Sequence, residues 1–240
     1  MYQFKLVFSL EKNFLPRELD RLLVSFLKAS VQNYSQEFYE KLYNKSESIM
    51  KKYVFSYFLP NAKFSDKVIW LGQNSFTMYF SDMDMVEMIY FFNAFKTMQF
   101  RPYPMHANTM QLMSIMTQES KEIVDSEVII KMQSSLLVRR HDSIMNRDIY
   151  YTYNHEEFNS ALKENIKFFL EKLKISVSVD DFSITPIKAK KVVVPVFGRN
   201  VDANLGVYKL TGNTELLNIL YLSGMGVRRS SGHGKFEIVL

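Results

Sequence analysis

The chain opens with Tyr2-Gln3-Phe4-Lys5-Leu6-Val7-Phe8-Ser9-Leu10. Tyr2, Phe4, Leu6, Phe8 and Leu10 recur at every second residue with Gln3, Lys5 and Ser9 between them, the pattern of a strand with one buried face. Pro16 suits the first turn of a helix, and Leu19, Leu22, Leu23, Phe26 and Leu27 repeat at helical spacing through about Val31. A short helix over Gln36 to Leu42 follows. A second strand then begins near Lys52, where Tyr53, Phe55 and Tyr57 alternate with Val54, Ser56 and Phe58. Val68 to Leu71 and Phe76 to Phe80 flank Gly72-Gln73-Asn74 and predict a hairpin. Asp82 and Asp84 suit the start of a helix with the apolar stripe Met85, Met88, Ile89, Phe92 and Phe95, and Gln111 to Thr117 closes the set as a strand. This order of elements is that of the ferredoxin-like βαββαβ motif.

From about Asp125 the order restarts. Val128, Ile130 and Leu136 to Val138 are strand material, and Phe158, Leu162, Ile166, Phe169, Leu170 and Leu173 outline an amphipathic helix. Phe182 to Ile187, Val192 to Phe197 and Gly206 to Leu210 read as strands, Thr214 caps a short helix through Leu222, and Phe236 to Leu240 reads as a last strand. The repeat is one of element order and not of sequence. It predicts an α+β chain of two tandem ferredoxin-like (βαββαβ, RRM-like) domains, residues 1–122 and 123–240, the second carrying a glycine-rich loop. A single undivided sheet would refute it.

Composition agrees with a packed chain. Of 240 residues, 47% are hydrophobic and 15% aromatic, with only 8 Gly and 6 Pro, which excludes disordered, collagen-like and low-complexity classes. Thirty Lys plus Arg against 25 Asp plus Glu give a net charge of +5, which permits a polyanionic partner without demanding one. The absence of cysteine excludes disulfides, thiolate nucleophiles, iron-sulfur clusters and Cys-built zinc sites. The apolar runs fall short of the roughly 18 residues of a membrane span, and the N-terminus has no leader pattern. The expectation is a soluble cytoplasmic protein with no membrane partner.

The segment Gly224-Met225-Gly226-Val227-Arg228-Arg229-Ser230-Ser231-Gly232-His233-Gly234 lies between a short helix and the last strand. Glycines let backbone amides approach a phosphate, and two arginines add forked donors. The nucleotide motifs do not fit: a Rossmann turn opens a helix after a strand, and Gly234-Lys235 is followed by Phe236 where a P-loop needs Ser or Thr. Two readings stay open on the glycines alone, an anion-binding loop and a turn packed closely against a neighbouring strand.

Leu222-Ser223-Gly224-Met225-Gly226, then Arg228-Arg229-Ser230-Ser231-Gly232-His233-Gly234, followed by a C-terminal strand, resembles the signature loop of the CRISPR-associated endoribonucleases of the Cas-six family, in the RAMP superfamily. Tyr53-Val54-Phe55-Ser56, Ser135-Leu136-Leu137-Val138-Arg139 and Gly206 to Gly212 extend the likeness over nearly the whole chain. The resemblance implies a metal-independent endoribonuclease, without cofactor, that cuts CRISPR repeat RNA by attack of the ribose 2′-oxygen on the adjacent phosphate. The products are guide RNAs with 2′,3′-cyclic phosphate ends. Such a reaction needs a base, a proton donor for the 5′-oxygen, and cations for the phosphate.

The family places a histidine in a Leu-His pair after the first helical region. Here Leu42-Tyr43-Asn44 stands in its place, and no histidine precedes His106. The resemblance then puts Lys28 near the family's position on the first helix and Lys51 and Lys52 near its catalytic lysine, so the implied cluster is Lys28, Tyr43 and Lys51 or Lys52. A phenol is a poor base unless lysines lower its pKa, so a slow, positioning-dominated cut is expected. The bland alternatives are a surface tyrosine at a helix end, a solvated Lys28, and a Lys51-Lys52 pair that only contacts phosphates.

For RNA binding the expected residues are Gly224, Gly226, Arg228, Arg229, Ser231, Gly232, His233 and Gly234 of the loop, the basic pair Arg139 and Arg140, and Lys188 and Lys190, which strand alternation sends to one face. The reading requires the glycine turn to be accessible beside a positively lined furrow. His106, His141, His155 and His233 never stand at i, i+4 spacing, so no metal site is expected. Two rivals remain: a catalytically weak or inactive RNA-binding RAMP subunit of a CRISPR effector assembly, and a structural subunit using aromatic surface for partners. The expected partners are repeat RNA and, on the second reading, other effector subunits, with the chain a monomer or homodimer.

Overall fold

The computed structural model describes residues 2–44, 46, 48–196 and 198–239. The chain divides into two compact units, one of residues 2–52 and 56–120, the other of residues 53–55 and 121–239.

In the first unit, strand β1 (Tyr2–Leu10) is followed by a short β2 (Phe14–Pro16), helices α1 (Leu19–Tyr34) and α2 (Gln36–Tyr43), and strand β3 (Tyr53–Phe58), of which Ser56–Phe58 fall in this unit. Then come β4 (Lys63–Phe64), β5 (Val68–Trp70), β6 (Ser75–Asp82), helix α3 (Met85–Met98), β7 (Pro102–Met105) and β8 (Asn108–Glu119). The main sheet has the order β3-β6-β1-β8-β7, with β1 antiparallel to both neighbours. Apart from the added β7, this is the ferredoxin-like order with β1 central. Phe4, Leu6, Phe8 and Leu10 of β1 are buried while Tyr2 is exposed. Their alternation brings one aromatic face onto α1 and α3: Phe8 stacks on Phe76 at 4.8 Å, and Phe80 meets Phe91 at 4.6 Å. Each such ring contributes roughly 2–3 kcal/mol by burial.

Three expectations for this half need correction. Pro16 does not enter the first helix; it lies in β2, and Glu18 is the residue before α1. Val68 to Leu71 does not form a hairpin with Phe76 to Phe80, because β5 pairs with β2 and β4 in a separate three-stranded sheet. The apolar stripe of α3 is rotated: Met88, Phe91, Phe95 and Met98 are buried while Met85 and Ile89 are more than half exposed. That helix is apolar on two faces, so periodicity alone did not choose between them.

The second unit contains β9 (Glu127–Met132), the hairpin β10 (Val138–Asp142) and β11 (Arg147–Tyr151), helix α4 (Phe158–Leu173), β12 (Ser183–Val196), β13 (Arg199–Thr211), α5 (Thr214–Ser223), a 3-10 turn at Arg229–Ser231 and β14 (Phe236–Ile238). Its sheet order, β12-β13-β9-β14, is again ferredoxin-like. The chain is thus two tandem ferredoxin-like folds, each with its own main sheet among the described residues. Three expected strand runs are here two long strands, because Lys188-Ala189-Lys190-Lys191 continues β12 instead of ending it. β12 is the edge of its sheet, where lysines and prolines are tolerated. Pro186 pairs with Tyr208 and Lys188 with Val207, leaving Ile187 as an extra residue in a bulge. Asn213, not Thr214, caps α5. Phe197 and Leu240 of the expected strands lie outside the described residues.

Buried Asn204 ties this unit together. Its Oδ1 accepts from the Tyr153 amide at 2.7 Å, and its Nδ2 donates to the carbonyls of Tyr151 and Leu136 at 3.1 and 3.2 Å.

Candidate functional site

Three of the four expected catalytic residues meet at the end of α2. Ser35 caps that helix by accepting from the Phe38 amide, and Tyr43 is its last residue. Lys28 projects from the exposed side of α1 and Lys51 from the segment before β3. Lys28 Nζ lies 5.3 Å and Lys51 Nζ 5.4 Å from the centroid of the Tyr43 ring, within reach of a cation-π interaction. Lys51 also donates to the Ile49 carbonyl at 2.8 Å. Burial, aided by the Lys28 charge, holds the Lys51 amine below the usual lysine range, so more of it is neutral near pH 7.

Lys52 does something else. It pairs with Asp84 at 2.6 Å and with Glu87 at 3.2 Å, and although burial pulls its pKa down, those carboxylates raise it overall. Glu87 is 3% exposed and also takes Lys41 at 3.1 Å. Lys41 is two residues before Tyr43, and Lys52 adjoins Lys51. Glu87 in the first turn of α3 therefore grips both segments that carry the cluster. Burial and then Glu87 push the neighbouring Asp82 carboxyl well above the usual range. For Asp84, burial pushes up but the Lys52 hydrogen bond and helix amides prevail and lower it. The two lysines differ physically: Lys51 carries an amine shifted downward beside Tyr43, and Lys52 is an ammonium paired with two carboxylates.

The glycine turn is built for packing. Gly226 and Gly234 hold φ of 73° and 78°, and a Cβ would drive into the Leu137 carbonyl at Gly226 and into the Met225 carbonyl at Gly234. The close approach serves backbone bonds from Met225 to Gly234 at 3.0 Å, Gly234 to Ser135 at 2.9 Å and Val227 to Leu137 at 2.9 Å. Gly224 and Gly232 are likewise buried, against Val54 and Phe55. The expected accessibility fails for most of this turn. Arg229 is 6% exposed, its guanidinium 3.5 Å from the Phe169 centroid, and it donates to the Ser223 carbonyl. Ser231 is buried, and buried His233 meets Ser135 Oγ through Nδ1 at 2.8 Å. Of the turn's residues expected at RNA, Arg228 alone is exposed.

The other basic candidates divide. Arg140 forks onto Glu164 at 2.8 and 2.6 Å, and Arg139 binds Asp148 at 2.7 Å, so each already has a carboxylate partner. Lys188 and Lys190 are exposed on β12, where no ion pair among the described residues holds them. Their i, i+2 spacing beyond the bulge keeps them on one face.

The family model described as CRISPR associated protein Cas6, C-terminal, matches residues 118–238, just over half of the chain. The chain belongs to the Cas6 family. Cas6 proteins bind and process CRISPR repeat RNA. Among solved structures, one titled as a Cas6-related gene from Pyrococcus furiosus has a TM-score of 0.86 at 18% identity, covering 99% of this chain and 98% of its own. One titled as a RAMP protein binding different RNA substrates scores 0.85 at 17% identity with 100% coverage of both. A Cas6 product complex scores 0.72 at 13% identity, covering 99% of each chain. At these identities the likeness is one of fold. None of the curated proteins matches the chain.

Within this Cas6 chain, Glu87, Asp82 and Lys41 escape a reading of the sequence because charged residues in amphipathic stretches look solvated; only the Asp82, Asp84, Glu87 run at a helix start hinted at them. Among the described residues no group of three or more His, Asp and Glu is placed to hold a metal ion, and no helix is long and apolar enough to cross a membrane.

The buried His233 makes a pH prediction. Burial, then the Arg228 charge, push its imidazole down to about 4 from the ordinary 6.5. A group charged more easily when unfolded draws protons to the unfolded chain, so its contribution is full above pH 6.5 and is lost as pH falls toward 4, by about 3 kcal/mol. The His233 ring resonances are expected to titrate near pH 4, and the urea midpoint of the native protein to fall over that window more steeply than that of His233→Gln. A ring midpoint near 6.5 would contradict the burial.

Proposed function

We propose that this Cas6 protein is an endoribonuclease that cuts CRISPR repeat RNA by 2′-hydroxyl attack. The observation that carries the reading is the meeting of Lys28, Tyr43 and Lys51 at one helix end. The neutral Lys51 amine takes the 2′-hydroxyl proton, the 2′-oxygen attacks phosphorus, and the bond to the 5′-oxygen breaks as the Tyr43 phenol donates its proton there. The Lys28 ammonium offsets charge on the non-bridging oxygens. The products are a 2′,3′-cyclic phosphate and a 5′-hydroxyl, and a proton returned from Lys51 to Tyr43 resets the site. Two of the similar structures, a RAMP protein binding different RNA substrates and a Cas6 product complex, support RNA as the ligand.

The test is incubation with repeat RNA in excess chelator, followed by analysis of the ends. One site-specific cut per repeat with a cyclic phosphate is expected. A second reading, favoured by Tyr43 standing where the family has histidine, is a non-catalytic RNA-binding subunit of a CRISPR effector assembly. Tight binding of repeat RNA with no cut would establish it, and no RNA affinity at low salt would remove both.

A further inference from the structure

The second unit holds a cleft of about 910 Å³ framed by the ends of two hairpins, β10–β11 and β12–β13, and reached by the glycine turn. Its lining includes Arg147, Arg199, Arg228, Asp148, Asp202 and Tyr150. The two carboxylates are already neutralised: Asp148 accepts from Arg139 at 2.7 Å and meets His141 at 3.0 Å, and Asp202 pairs with Lys191 at 2.7 Å. Burial pushes the Asp148 carboxyl up, but its hydrogen bonds to His141 and Arg139 prevail and hold it below its usual range, so it stays an anion paired with Arg139. Arg147 and Arg199 are exposed and no ion pair among the described residues holds either one.

Arg228 is the exposed exception in a turn otherwise mostly buried from Ser223 to Gly234. Its φ of 60° is a left-handed conformation unfavourable to a residue with a Cβ. Strain of this kind persists only where surrounding structure imposes it. Here the packing of Gly226 against Leu137 and the 3-10 turn at Arg229–Ser231 fix the backbone on both sides, and the side chain emerges at the cleft. The glycines thus set where one arginine stands.

We propose that this cleft, through Arg147, Arg199 and Arg228, binds the ribose-phosphate backbone of RNA. Guanidiniums present forked donors to phosphate oxygens and stay charged at any physiological pH, and three of them line this one cleft. Contacts of this kind fix register and supply affinity without reading sequence. The proposal rests on RNA being the ligand of the chain.

The experiment measures the affinity of the full chain for an uncleavable repeat RNA, 2′-deoxy at the scissile nucleotide, from low to moderate salt. Each backbone contact to a single strand contributes about 0.7 to the slope of log affinity against log salt. The combined variant Arg147→Gln, Arg199→Gln, Arg228→Gln is expected to lower that slope by about 2 and to weaken binding at least tenfold at low salt. A control variant replacing the exposed lysines Lys63, Lys67 and Lys121 by Gln removes equal charge elsewhere and is expected to change the slope by less than 1. An unchanged slope in the arginine variant, or an equal loss in the control, overturns the cleft. A native protein that binds RNA through the cleft yet never cuts it overturns the nuclease reading and leaves the cleft standing; a protein that cuts with an arginine variant of native affinity does the reverse.

Discussion

Lys51→Ala is expected to slow single-turnover cleavage of repeat RNA by about 10²–10³-fold, within the range that a general acid or base contributes, while affinity for uncleavable RNA changes by less than about threefold. The expectation comes from position and environment together. Lys51 lies beside Tyr43, half-buried, with an amine that burial and Lys28 hold below the ordinary range. Its replacement removes the base and one cation. Tyr43→Phe keeps the ring and loses the proton donor, and is expected to cost about 10²-fold; Lys28→Ala, which removes a cation and with it part of what lowers the Lys51 amine, is expected to cost about tenfold. The pH profile separates a base from a mere cation. With Lys51 present the rate climbs with pH as the amine loses its proton and levels off below the ordinary lysine value, and that limb disappears in Lys51→Ala. Unchanged rates in all three variants, in a protein that cuts, would remove the site; a retained limb in Lys51→Ala would move the base elsewhere.

Gly234→Ala is expected to be the most damaging small substitution in the chain. The residue holds a φ of 78°, and an added methyl would meet the Met225 carbonyl, which cannot retreat because the Met225 amide is bonded to the Gly234 carbonyl. Backbone strain and overpacking act together, and a loss of about 2–5 kcal/mol follows. Much of the stability of a domain is of that order. Urea unfolding read by tryptophan-independent circular dichroism measures it; a midpoint shift equivalent to less than about 1 kcal/mol would show that the turn is not packed as described. The same turn treated as an RNA cradle alone predicts intact folding and lost binding, so the two accounts part on one measurement.

Most of the architecture was legible because both sheets advertise themselves. The two-residue alternation of β1 and the helical spacing in α1 and α4 are strong local signals, and element order then selects the ferredoxin-like arrangement twice. What failed were decisions that sequence leaves to tertiary packing. Met85, Ile89 and Phe92 are as apolar as Phe91 and Phe95, so which side of α3 faces inward depends on where β1 and β6 lie. Val68 to Trp70 reads equally well paired with either neighbour, and only the small sheet with β2 and β4 decides. At the site, the resemblance led to Lys28, Tyr43 and the lysine pair, but the different surroundings of Lys51 and Lys52 come from Asp84 and Glu87 at the start of α3, distant in sequence. Arg229 and His233 look like donors for an anion in a glycine-rich string, and they are buried because Phe169 and Ser135 reach them from elements far off in sequence.

The extra residue at Ile187 separates the long ribbon of the second unit into two arms with independent phase. Ile184 and Leu210 keep to the interior at its root, whatever side the outer residues take, because an inserted position resets the alternation. On the distal arm Lys188 and Lys190 stay exposed while Val196, Ala203 and Asn204 are buried, so its outward positions can change without disturbing the packed ones or the root.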